Sequence, residues 1–158
     1  MKKKIFRGYI YSREFMGERI PQNVQNLFIR DFCYKKNFQY LLSATEYAME
    51  SSSMVLAQAI NDLKKIDGIV AYSVFQLPSK KQKRIEYLQK IINLKKIFYG
   101  ALEGFKVSNN KDLEKIEEIW DIKNNLQFCP KNISENLKTK KWRKKLKYLF
   151  LEFLMFYI

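Results

Sequence analysis

Apolar residues along this chain come in short dense runs, separated by longer stretches in which they recur every three or four positions. The first run covers residues 4–12, where Ile5, Phe6, Tyr9, Ile10 and Tyr11 are strand formers gathered around Gly8. Met16-Gly17-Glu18-Arg19-Ile20-Pro21 reads as a loop. Pro21 suits the first turn of a helix reaching residue 36, with Val24, Leu27, Phe28 and Phe32 on its apolar face. Residues 38–45 form the next predicted strand. Residues 52–66 follow as a helix, capped by its serine run, with Leu56, Ile60 and Leu63 turned inward. Asp67-Gly68 ends that helix and opens residues 69–75, apolar nearly throughout, as a strand covered on both faces should be. Beyond Pro78 a helix is predicted over 80–94, with Ile85, Leu88 and Ile92 inward. Residues 97–102 make a fourth strand, closed by Glu103-Gly104. A last helix spans 111–126, with Asp112 and Glu114 near its amino end and Leu113, Ile116 and Trp120 as its stripe.

Strand and helix alternate strictly, which implies right-handed crossovers. The expected fold is α/β: an open, mostly parallel four-stranded sheet with helices on both faces, flavodoxin-like or resolvase-like. It occupies residues 1–130. Residues 131–158 break the pattern: Trp142-Arg143-Lys144-Lys145-Leu146-Lys147 leads into an apolar, aromatic end. Such a tail suits an interfacial membrane helix, a helix docked on the domain or on a second copy, or an aberrant end.

Composition sharpens this picture. A chain of 158 residues that is 47% hydrophobic can bury one sizeable core. Its formal net charge of +14 favours anionic partners, namely nucleic acid, phosphate-bearing substrates or an acidic membrane, unless the lysines serve solubility alone. No histidine is present, which removes His-based zinc sites, Ser-His-Asp triads and Cys-His dyads from consideration. Cys33 and Cys129 are isolated, so no metal or cofactor is expected, and a reducing cytoplasm fits, with peripheral contact at the inner membrane through the tail. The opening Met-Lys-Lys-Lys resembles the start of a signal peptide, but Arg7-Gly8 interrupts the apolar run at once. No stretch reaches the ~20 apolar residues of a spanning helix.

In an open parallel sheet, ligands bind beyond the carboxyl ends of the strands, near the switch in strand order. Strand one delivers Ser12, Arg13, Glu14 and Arg19 there, with Gln22 and Gln25 opening the helix. The later strands deliver Thr45 and Glu46, Ser73 and Gln76, and Glu103. Ser12 is the candidate nucleophile or phosphate ligand, and Glu46 and Glu103 are the candidate bases or sugar-hydroxyl ligands. Arg13 and Arg19 are suited to clamp an anion, with Gln22, Ser73 and Gln76 as further binding residues. Neither a dinucleotide fingerprint nor a Walker loop is present.

Two resemblances extend the reading. Gly8-Tyr9-Ile10-Tyr11-Ser12-Arg13, the helix bearing Gln22 and Gln25, and the stretch from Asp67 through Gln76-Leu77 resemble the catalytic domain of serine recombinases. Ser12 matches that family's nucleophile after a one-residue shift. Tyr11 or Ile10 and Gln76 stand where the family has arginines, which removes the groups that would stabilise a phosphoryl transition state. The closer resemblance is to the bacterial sporadic carbohydrate cluster proteins, carried by Phe6-Arg7-Gly8-Tyr9-Ile10-Tyr11-Ser12-Arg13, Phe15-Met16-Gly17-Glu18-Arg19-Ile20-Pro21-Gln22, Val24-Gln25-Asn26-Leu27, Tyr40-Leu41-Leu42-Ser43-Ala44-Thr45-Glu46-Tyr47-Ala48-Met49-Glu50, Gly68-Ile69-Val70-Ala71-Tyr72-Ser73 and Ala101-Leu102-Glu103-Gly104. That resemblance implies a role in surface-polysaccharide biosynthesis, of lipopolysaccharide O-antigen or capsule, on a sugar phosphate or nucleotide sugar. Against it stand a nucleic-acid-binding recombinase-like domain and a non-catalytic, membrane-docked partner of a glycan complex. Oligomeric state is left open.

Overall fold

Alternation of side chains builds the core on the two faces of the sheet. Along strand β1 (Ile5–Tyr11), Phe6 and Ile10 point to one face while Tyr9 and Tyr11 point to the other. The computed structural model describes residues 3–126 apart from Phe15, Met16 and Glu50. Helix α1 (Gln22–Lys35) leads to β2 (Gln39–Glu46), and α2 (Met54–Asn61) leads through a 3-10 turn (Asp62–Lys65) to β3 (Gly68–Ala71). Helix α3 (Lys81–Asn93), β4 (Ile97–Gly100), β5 (Phe105–Val107) and α4 (Asn110–Leu126) complete the order.

The sheet runs β2-β1-β3-β4-β5, parallel throughout except that β5 is antiparallel to β4. Chain order reverses across β1, so the carboxyl ends of β1 and β3 flank the switch point where open α/β sheets bind ligands. Phe6, Ile10, Val70, Tyr72 and Tyr99 pack with Ile29 and Cys33 of α1 on one face. Tyr9, Ile69 and Phe98 pack with Leu56, Ile60 and Leu63, with Leu88 and Ile91, and with Leu113, Ile116 and Trp120 on the other. Gly8 permits the close approach of β1 and β2, because a Cβ there would collide with the Ser43 side chain beside the register shift between Arg7 and Tyr9.

The expected open, mostly parallel sheet is present, with helices on both faces. It carries a fifth strand, because Phe105-Lys106-Val107 is too short to show alternation in sequence. The third strand stops at Ala71 rather than reaching Phe75: Val74–Gln76 is a 3-10 turn, apolar because Val74 packs into the core. The buried stripe of α1 is Gln25, Ile29 and Cys33, while Val24 and Leu27 are exposed. No serine side chain caps α2, and the Glu46 carboxylate accepts from Val55 and Leu56 N–H instead. The basic and apolar tail and the 130/131 boundary lie outside the described residues. Among the described residues, no helix is long and apolar enough to cross a membrane.

Candidate functional site

The end of β1, the end of β3 and the start of α1 converge at the switch point. Two buried amides fill the space between them. Gln25 Oε1 accepts from Tyr11 N–H at 3.1 Å and from Gln76 Nε2 at 2.8 Å. Its Nε2 donates to Tyr11 O at 2.9 Å and to Ile20 O at 2.7 Å, so all four bonding positions of the amide are used. Gln76 Oε1 accepts from Tyr72 N–H at 3.1 Å within the turn after β3, and the Gln76–Gln25 bond ties that turn to the end of β1. Gln25 and Gln76 are both fully buried. Replacing Gln25 with leucine is therefore expected to cost about 2–3 kcal/mol, since four buried or part-buried hydrogen bonds, to the Tyr11 backbone, Ile20 O and Gln76 Nε2, would be lost. Urea unfolding of the variant checks this, and a change under ~0.5 kcal/mol would contradict it.

The flanking residues form two further clusters. Glu46, buried at the end of β2, accepts from Tyr9 Oη (2.9 Å), Ser52 Oγ (2.8 Å), Leu56 N–H (3.1 Å) and Tyr47 N–H (3.2 Å). Burial alone pushes its pKa up, but the bonds from Ser52, Leu56, Tyr9 and Tyr47 outweigh that and hold it below the ordinary carboxylate range. The Tyr9 phenol is pushed strongly up, chiefly by burial. Ser12 Oγ donates to the Glu46 carbonyl at 2.7 Å. Arg13 stacks on Tyr11 at 4.0 Å and donates to the carbonyls of Tyr47, Met49 and Ser52 at 2.7–2.9 Å, which organises the loop between β2 and α2. In the second cluster, Glu103 accepts from Ser73 Oγ (2.5 Å) and Val74 N–H (3.0 Å), and Ser73 Oγ accepts from Phe75 N–H. Gly100 makes room for this cap, because a Cβ there would lie 2.8 Å from Glu103 Oε2.

The residues expected at the carboxyl edge are thus brought there, but they bond mainly to one another and to backbone. Thr45 stands half-buried in β2, while Glu14 and Gln22 are exposed. Arg19 is exposed and, among the described residues, makes one hydrogen bond, of 3.3 Å to Ser12 O, which leaves it donors facing solvent there. Among the described residues, Ser12 Oγ bonds a backbone carbonyl and neither a carboxylate nor an amine, an arrangement that holds the hydroxyl without activating it. Cys33 lies under α1 with its thiol pushed up to about 11 by burial, which makes it a poor nucleophile. Among the described residues, no group of three His, Cys, Asp or Glu is placed to hold a metal ion. Gln25 is the residue that sequence reasoning undervalued. Its signal was a polar side chain in the middle of the α1 apolar periodicity.

The solved structures include one of the same fold. The crystal structure of the N-terminal catalytic domain of TP901-1 integrase matches with a TM-score of 0.56 at 14% identity, covering 84% of this chain and 99% of that one. No family model and no curated protein matches the chain. The expectation of surface-polysaccharide chemistry, drawn from the carbohydrate cluster resemblance, is corrected by these findings. The structural neighbour is a recombinase domain, and no relative ties the chain to carbohydrate or lipopolysaccharide.

Proposed function

We propose that this chain is a nucleic-acid-binding domain on a recombinase-like fold, engaging the phosphate backbone through its cationic surface. The observation that carries this reading is a formal net charge of +14 on a fold shared with a recombinase catalytic domain. Binding is better supported than strand exchange. Ser12 Oγ and Arg13, the nearest counterparts of a phosphoryl-transfer pair, spend their bonds on carbonyl oxygens. Gln76 holds Gln25 and Tyr72 rather than offering a charge to a phosphoryl oxygen.

Fluorescence anisotropy with a labelled DNA duplex tests this reading across ~0.05–0.2 M salt. Log affinity is expected to fall by ~0.9 for each phosphate contact per log unit of salt, giving a slope of about −4 or steeper. Absence of binding at the lowest salt, or binding insensitive to salt, would overturn the reading.

A further inference from the structure

The lysines are not scattered. A Lys-Lys pair leads into every parallel strand: Lys3-Lys4 before β1, Lys35-Lys36 before β2, Lys64-Lys65 before β3 and Lys95-Lys96 before β4. Parallel strands share one direction, so all four pairs emerge on the amino edge of the sheet, opposite the crevice. Backbone bonds level the strand entries that the pairs precede. Gln39 N–H donates to Lys4 O at 2.8 Å, Asp67 N–H to Ile5 O at 2.7 Å and Ile97 N–H to Asp67 O at 3.1 Å. The strand entries therefore stand side by side in the order β2, β1, β3, β4, with Lys35-Lys36 leaving α1 on one face of the sheet and Lys64-Lys65 and Lys95-Lys96 closing the elements on the other. With strands ~4.8 Å apart, the four strand entries span about 14 Å. One nucleic-acid strand advances ~3.4 Å along the axis per charge, so this edge is about as long as four phosphates along the axis.

Helix capping explains part of the pattern and no more. Lys35 sits in the last turn of α1, and Lys64 and Lys65 end the turn after α2, where a cation offsets the helix dipole. Among the described residues no helix precedes Lys3 and Lys4, and Lys95 and Lys96 lie beyond the Leu94 cap of α3. Acidic compensation is thin. Asp31 pairs with Lys35 at 2.7 Å, Asp62 pairs with Arg7 at 3.4 Å, and Asp67 Oδ2 accepts from Ile5 N–H. Among the described residues, Lys3, Lys4, Lys36, Lys64, Lys65, Lys95 and Lys96 make no ion pair, and all but half-buried Lys96 are exposed. A membrane surface would need an apolar stripe beside the cations. Among the described residues, the exposed large apolar side chains adjoining these pairs in the chain are Tyr34 and Leu94, which end helices on opposite faces of the sheet and so form no stripe.

We infer that this amino edge, rather than the crevice beside Ser12, is the surface that grips a DNA phosphate backbone. The inference rests on the nucleic-acid reading above and gives it a place on the molecule. Contact is to phosphates through point charges on flexible stems, so it is independent of base sequence.

The test compares two full-length variants with the same loss of charge. One carries Lys4→Gln, Lys36→Gln, Lys65→Gln and Lys96→Gln. The control carries Arg19→Gln, Lys80→Gln, Lys106→Gln and Lys115→Gln, taken from elsewhere on the domain. Duplex affinity of the edge variant is expected to fall roughly 10²–10³-fold near ~0.1 M salt, with the salt slope shallower by about 4. The control is expected to change by less than ~10-fold. Half-variants, Lys4→Gln/Lys36→Gln and Lys65→Gln/Lys96→Gln, are each expected to give about half the slope change, and melting curves verify folding. Equal losses in both quadruple variants would overturn the edge assignment and leave nucleic-acid binding standing. Wild-type protein that ignores duplex, or that prefers vesicles containing phosphatidylserine, would overturn both.

Discussion

Replacing Arg84 with alanine is expected to cost about 3–5 kcal/mol of folding stability, a large share of the ~5–15 kcal/mol typical of a domain. Arg84 on α3 is 1% exposed. Its Nε and Nη2 donate to the two oxygens of Glu117 on α4 at 2.7 and 2.6 Å. Nη1 donates to Pro78 O and Ser79 O, each at 3.0 Å, and the guanidinium lies 4.2 Å over the Trp120 ring. Alanine would leave the Glu117 charge buried without a counterion and two carbonyls without donors. Lysine is not expected to rescue it, because a point charge cannot reproduce the fork. Removing both charges, as in Arg84→Met/Glu117→Leu, is expected to restore most of the loss. Urea midpoints of the four proteins check this, and a single variant within ~1 kcal/mol of wild type would contradict it.

Glu46→Gln is expected to cost about 3 kcal/mol near neutral pH, because the new amide sets a donor against an array of donors. Ser52 Oγ, Tyr9 Oη and the N–H groups that open α2 all point at this carboxylate. The effect depends on pH. Glu46 has its folded pKa held below the ordinary value, so its charged form stabilises the fold above the unfolded pKa of ~4.3. That contribution is lost as pH falls through the folded pKa. The difference between wild type and Glu46→Gln is therefore expected to narrow below about pH 4. Denaturation curves at neutral and acidic pH measure it. A gap that persists unchanged in acid would mean the cost is one of shape rather than charge.

Much of the fold is readable from periodicity, and the misses have physical causes. Residues 69–71 read as a buried strand because both faces of β3 are covered, but the same apolar signal continued into a turn packed on the core. The apolar periodicity of α1 points one step around the axis from its buried face, because one of the fully buried positions holds the polar Gln25. Arg84 gave no inward signal, since a charged residue on α3 looks solvated until Glu117 is folded against it. The carboxyl-edge residues were legible as a group from topology alone. Their bonds were not, because Arg13 reaching Tyr47, Met49 and Ser52 depends on a loop path that spacing does not reveal. The Lys-Lys pairs were visible in sequence, but their shared edge emerges only once β1 to β4 are known to be parallel neighbours.

The most direct single measurement is a titration of the labelled full-length protein with a short DNA duplex, followed by amide NMR shifts. Shifts are expected at Lys4, Asn37, Lys65 and Lys96, on the amino edge, and to fade as salt is raised. Shifts centred on Ser12 and Tyr72, or none at low salt, would contradict the account.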